Sequence, residues 1–134
     1  MPSGTSFDPR NSNDFEKSKL FKNAKGAVGT IPAGTIGTVD LALADDCLIM
    51  GGFLLVQGAV WGDKVDFQVV MGTTVLAEFI QDWYIDPTVC NQSTPGANYP
   101  AKLPAGATLR LEYYSTGSSP VNVAVNYNME KVLT

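Results

Sequence analysis

The chain has 134 residues, 16% of them charged, a formal net charge of −4 and no histidine. That length suits one domain able to bury a core without staples, and the acidic balance argues against a general nucleic-acid binder. The missing histidine removes Ser-His-Asp and Cys-His catalysis together with the commonest zinc ligand.

Charge is unevenly spread. Residues 1–25 hold five basic side chains (Arg10, Lys17, Lys19, Lys22, Lys25) against three acidic ones, whereas residues 26–134 hold four basic against ten acidic. The first stretch reads as an N-terminal arm, largely polar, with Phe7, Phe15, Leu20 and Phe21 scattered along it. Apolar anchors in such a segment suit one that orders on a partner. These four residues and the five cations are the expected partner-binding set. Ser12–Phe21 has the spacing of a short helix, marginal on its own. The polar start lacks the apolar core of a signal peptide, so synthesis in a cytoplasm is expected. The apolar run Cys47–Val60 is too short to span a bilayer and is broken by Gly51, Gly52 and Gln57. No membrane partner is expected.

Residues 26–134 read as strands and turns. Ile31-Pro32-Ala33-Gly34 fits a type I turn, and Thr35–Leu43 follows with Val39, Leu41 and Leu43 on one face. Asp45-Asp46 marks a turn before the longest apolar run. Gly62-Asp63 then separates that run from an alternating strand, with Val65, Phe67 and Val69 on one side and Asp66 and Gln68 on the other. A glycine-first pair between two strands predicts a hairpin there, and Gly72-Thr73 predicts a second. Val75–Ile80 carries both an alternating pattern and a helical one (Leu76, Phe79, Ile80, Trp83), and a strand is preferred. Pro87–Asn98 reads as a long surface loop. Leu103-Pro104-Ala105-Gly106 repeats the first Pro-Ala-Gly turn before Thr108–Tyr114, where Leu109, Leu111 and Tyr113 alternate with polar residues. The last strand puts Val121, Val123, Val125, Tyr127 and Met129 on one face. Seven or eight such strands cannot bury their apolar faces in one sheet. An all-β antiparallel β-sandwich, a jelly roll, is expected behind the arm.

Groups that could carry chemistry are few. The carboxylate pairs Asp45/Asp46, Asp63/Asp66 and Asp82/Asp86 fall in turns or on polar faces, where solvated acids are routine, and none has calcium-loop spacing. Cys47 and Cys90 form no CxxC pair. Cys47, within a strand, reads as a small buried apolar residue, and whether the two pair is left open. No catalytic residue, metal or cofactor is expected. The remaining candidates are the aromatics flanking the long loop. Trp83, Tyr84 and Tyr99 would make a binding surface at one end of the sandwich if exposed together.

Two strings carry a family resemblance. Gly62-Asp63-Lys64-Val65-Asp66-Phe67-Gln68-Val69-Val70, and Leu109–Gly117 followed by Val123-Ala124-Val125-Asn126-Tyr127, resemble small virion proteins of tailed bacteriophages. The nearest in kind are capsid decoration, or cement, proteins with a jelly-roll body, and the resemblance spans roughly residues 45–130. It implies a non-catalytic protein, often a homotrimer, that binds the outside of an assembled head and clamps neighbouring capsomers of the major capsid protein. A tail or baseplate subunit, and a receptor- or carbohydrate-binding domain of a tail, stand as alternatives.

Overall fold

The computed structural model describes residues 23–93 and 103–131, and among these there are eight strands and no helix. They are β1 (Asn23–Ile31), β2 (Ile36–Ala42), β3 (Cys47–Gln57), β4 (Lys64–Met71), β5 (Thr74–Tyr84), β6 (Asn91–Ser93), β7 (Thr108–Tyr114) and β8 (Val121–Lys131). One sheet has the order β1-β8-β3-β6 and the other β2-β7-β4-β5, antiparallel throughout. The first strand pairs with the last, the second with the seventh, the third with the sixth and the fourth with the fifth. A long two-stranded ribbon rolled into two sheets produces this set of pairs, and it defines the jelly roll.

The alternation read from the sequence becomes the core. Leu109, Leu111 and Tyr113 of β7, Val65 and Phe67 of β4, and Val121 and Leu54 of the opposite sheet are fully buried. Phe67 sits at the centre. Its ring lies 5.9 Å from Phe79, 6.2 Å from Trp83 and 6.1 Å, edge-on, from Tyr127 of the facing sheet. Such geometries stabilise beyond the area they bury.

Several local expectations are corrected. β3 and β4 are not a hairpin, because they belong to different sheets. Gly62, at φ 101°, makes the reversal, but the chain uses it to cross the sandwich. The Pro-Ala-Gly turns begin one residue late. Thr35 N donates to Pro32 O (3.3 Å) and Ala107 N to Pro104 O (3.2 Å), with Gly34 and Gly106 taking the positive φ at the third position. The long loop contains β6, which pairs with β3 at Phe53–Leu55. Lys25, expected in the arm, pairs with Tyr127 inside β1. Gly72-Thr73 does link a hairpin, β4–β5. The two cysteines are free thiols, Cys47 buried and Cys90 exposed. Burial pushes the Cys47 thiol pKa up, with Asp45 and Asp46 adding to it.

β5 is a strand whose eleven residues face eight of β4, and its register slips three times. Each slip inserts a residue, which breaks the two-residue period. Phe79 and Ile80 are therefore both buried, with Trp83 packed beside them. At the slip opposite Asp66, Asp82 takes φ 51°, and its N–H donates to Asp66 Oδ1 at 2.8 Å.

Candidate functional site

The topology gathers the β1–β2, β3–β4, β5–β6 and β7–β8 loops at one end of the sandwich. Asp63 ties them together. Its side chain is fully buried: Oδ2 accepts from Tyr113 Oη (2.7 Å) and Val60 N (3.2 Å), and Oδ1 from Thr116 N and Oγ1 (both 2.8 Å). Its carbonyl accepts from Ile85 N at 2.9 Å. Ser115 N donates to Thr35 O (2.9 Å), joining the β1–β2 loop to the same network. Burial opposes the charge on Asp63, but the bonds from Tyr113, Thr116 and Val60 outweigh it and hold the carboxyl below its ordinary range. The Tyr113 hydroxyl is pushed up, by burial and then by the Asp63 carboxylate. A buried acid with this many donors is a clamp on the loops, since its acceptor positions are already taken.

That clamped end carries exposed apolar side chains. Trp61 is 70% exposed at the crest of the β3–β4 loop, next to the half-covered Val60. On the adjoining sheet, register places Ile36, Tyr114, Lys64 and Tyr84 in one row across all four strands. The two ends of the row, Ile36 and Tyr84, are 61% and 62% exposed. Within it Lys64 Nζ lies 4.5 Å from the centre of the Tyr114 ring and pairs with Asp82. Further along this outer face come ionic residues, with Glu112 beside Asp66 and Asp40 beside Arg110.

The expected aromatic trio divides. Tyr84 is on the exposed rim. Trp83, its neighbour in β5, points the other way and stacks on Phe67. Tyr99 lies outside the described residues, as do arm residues Phe7, Arg10, Phe15, Lys17, Lys19, Leu20, Phe21 and Lys22. In their place the structure puts Trp61, Ile36 and Tyr114 at the same end of the sandwich as Tyr84. Trp61 was visible in the sequence as a tryptophan beside a glycine turn, where little can cover it. Ile36 and Tyr114 needed the strand register.

The outer face of the other sheet is of a different kind. Its half nearest the loop end, residues 26–31, 51–57, 91–93 and 121–129, holds no charged residue, while β1 begins with Lys25 among its first residues and β8 ends on Glu130 and Lys131. Its middle row is Val28, Ala124, Leu55 and Asn91, and Val28 is 80% exposed. Among the described residues no group of three acidic or thiol side chains is placed to hold a metal ion.

No protein-family profile and no curated protein sequence matches the chain. Solved structures with some likeness include PliG from Aeromonas hydrophila, a periplasmic inhibitor of g-type lysozyme. It is 13% identical at a TM-score of 0.37, over 84% of this chain and 89% of that one. They also include VP2 of infectious bursal disease virus in its subviral particle, 13% identical at a TM-score of 0.34 over 83% of this chain. The match spans 42% of the VP2 chain.

Proposed function

We propose that this chain is a structural protein of a tailed-bacteriophage virion, one that decorates the outside of the assembled head. In this role it has no enzymatic activity and takes no cofactor. A homotrimer, made in the host cytoplasm, clamps adjacent capsomers of the major capsid protein. The supporting observation is the clamped loop end, where Asp63 immobilises a rim of exposed apolar residues. A rigid rim of this sort gains affinity because little has to be ordered on contact. The segment ahead of β1, residues 1–22, would supply the second grip on a shell protein. Holding energy of this kind comes from area, with several weak contacts multiplied by linkage in one assembly. A ligand that binds only the assembled lattice stabilises it by mass action.

The test is co-sedimentation of purified protein with expanded heads stripped of accessory proteins. Full-length protein is expected to pellet with the heads and raise their melting temperature. A chain lacking residues 1–22, and separately Tyr84→Asp, should fold and lose that binding. Full-length protein that stays in the supernatant at every concentration overturns the proposal.

One observation favours a second reading, a glycan-binding domain of a phage tail: Trp61 and Tyr84 are both exposed at the same end. Saccharides stacking on Trp61 would change its fluorescence, and a titration with host surface glycans separates the two readings.

A further inference from the structure

The outer face of the β1-β8-β3-β6 sheet contains a groove of about 400 Å³ near the loop end, lined by Val28, Thr30, Leu55, Gln57, Cys90 and Ala124. We propose that this groove receives the Trp61 crest of a second copy of the chain, so that copies associate head to tail. This extends the trimer of the preceding section by naming the two surfaces that meet.

Three observations converge on a second copy as the occupant. The first is charge. Residues 26–134 carry ten acidic against four basic side chains, so copies repel wherever their carboxylates face each other. None of the residues lining the groove is charged, and none of the crest residues 58–62 is either, the adjacent Asp63 being buried. These are surfaces on which an acidic protein can meet itself without like-charge cost. The second is shape. Trp61 is convex, 70% exposed and on a loop fixed by Asp63, whereas the groove is concave with an apolar floor at Leu55 and Ala124. A volume of several hundred Å³ is the size in which proteins seat ligand groups. The third is area. A tryptophan offers on the order of 200 Å². With Val60 and Val28 it would form the apolar centre of the contact, and the amide-bearing rows beside the groove would have to supply the rest of the roughly 800 Å² per copy of a standard interface. Because crest and groove are different patches, the contact is heterologous, and such contacts close into rings when the rotation permits.

The test uses purified full-length protein alone, so a failure to bind heads leaves it standing. Analytical ultracentrifugation of the wild type up to about 100 μM, where contacts with Kd of about 10 μM register, should show more than one copy per particle. Trp61→Asp and Val28→Asp should each weaken association by at least about 30-fold, the loss typical of a hot-spot residue. Both positions are exposed, and unchanged melting temperatures will show that both variants fold. The decisive arm mixes the two variants. The Trp61→Asp protein keeps its groove and the Val28→Asp protein keeps its crest, so the mixture should form pairs and stop there. Cys90 labelling by a thiol reagent should slow in that mixture on the Trp61→Asp partner, whose groove is filled. A wild type that is monomeric throughout overturns the proposal, and so does a mixture that stays monomeric.

Discussion

The loop end and the outer face of the β2-β7-β4-β5 sheet both use aspartate, to opposite effect. Asp63 is fully buried and accepts four hydrogen bonds from three residues. Asp40, on the sheet face, meets Arg110 at 3.0 and 3.1 Å with both side chains open to water. Charge and bond lengths are similar, so solvent decides what each is worth. A buried carboxylate leaves stranded donors when removed, whereas an exposed pair hands its partner to water. The loop end is therefore a structural unit, and the ionic face is a solubility coat.

Breaking the first half of the comparison gives the largest effect. Asp63→Ala strands Tyr113 Oη in a buried site and takes the partner from the Thr116 and Val60 amides in a partly buried one. It is expected to cost about 3 kcal/mol or more, read as a lowered denaturation midpoint at unchanged slope. A loss under about 1 kcal/mol would mean that the loops hold themselves.

Acid does the same more gently. The Asp63 pKa is lowered by folding, so its contribution is fully present above the unfolded value near 4 and disappears as pH falls through the lower folded value. Asp86, also held low by the Thr88 hydroxyl and amide, acts in the same direction from a solvated position and adds little. Stability of the wild type should fall below about pH 4. In Asp63→Ala that fall should be much shallower.

Tyr113→Phe sharpens the comparison by removing one donor and leaving the carboxylate. A hydrogen bond to a charged group contributes about 1.5–3 kcal/mol, so an intermediate loss is expected. The acid transition should move to higher pH, because the remaining donors hold Asp63 less far down. A stability loss with no shift in the acid limb would assign the effect of Tyr113 to packing alone.

How far these features can be read from sequence follows the same division. β7 and β8 keep an unbroken two-residue period, and their faces were legible residue by residue. β5 was ambiguous because its three slips space Phe79, Ile80 and Trp83 as a helix would, and the slips depend on β4. β6, Asn-Gln-Ser, has no apolar pattern to read. Gly62-Asp63 looks the same in a hairpin and in a crossing between sheets. The choice is made by β8 and β7, which take the places beside β3 and β4, through pairs at least thirty-eight residues apart in the chain. The role of Asp63 was hidden for the same reason. A carboxylate after a turn glycine is ordinarily solvated, and only Tyr113 and Thr116, fifty and fifty-three residues away, bury it.

The smallest effect tests the other half. Arg110 and Asp40 form a two-pronged pair between β7 and β2, the geometry in which an exposed ion pair is most favourable. Each side chain is about a third exposed, so the Coulombic gain is screened and partly spent on holding two side chains in one place. Arg110→Ala, Asp40→Ala and the double variant form a cycle whose coupling energy is expected below about 1 kcal/mol and to shrink in high salt. A coupling of 2 kcal/mol or more would place the pair in the same class as Asp63, and the contrast between keystone and coat would fail. The expected small value leaves β2 held to β7 by its ladder and by Val39 against the core, with the ions outside free to change at little cost to the fold.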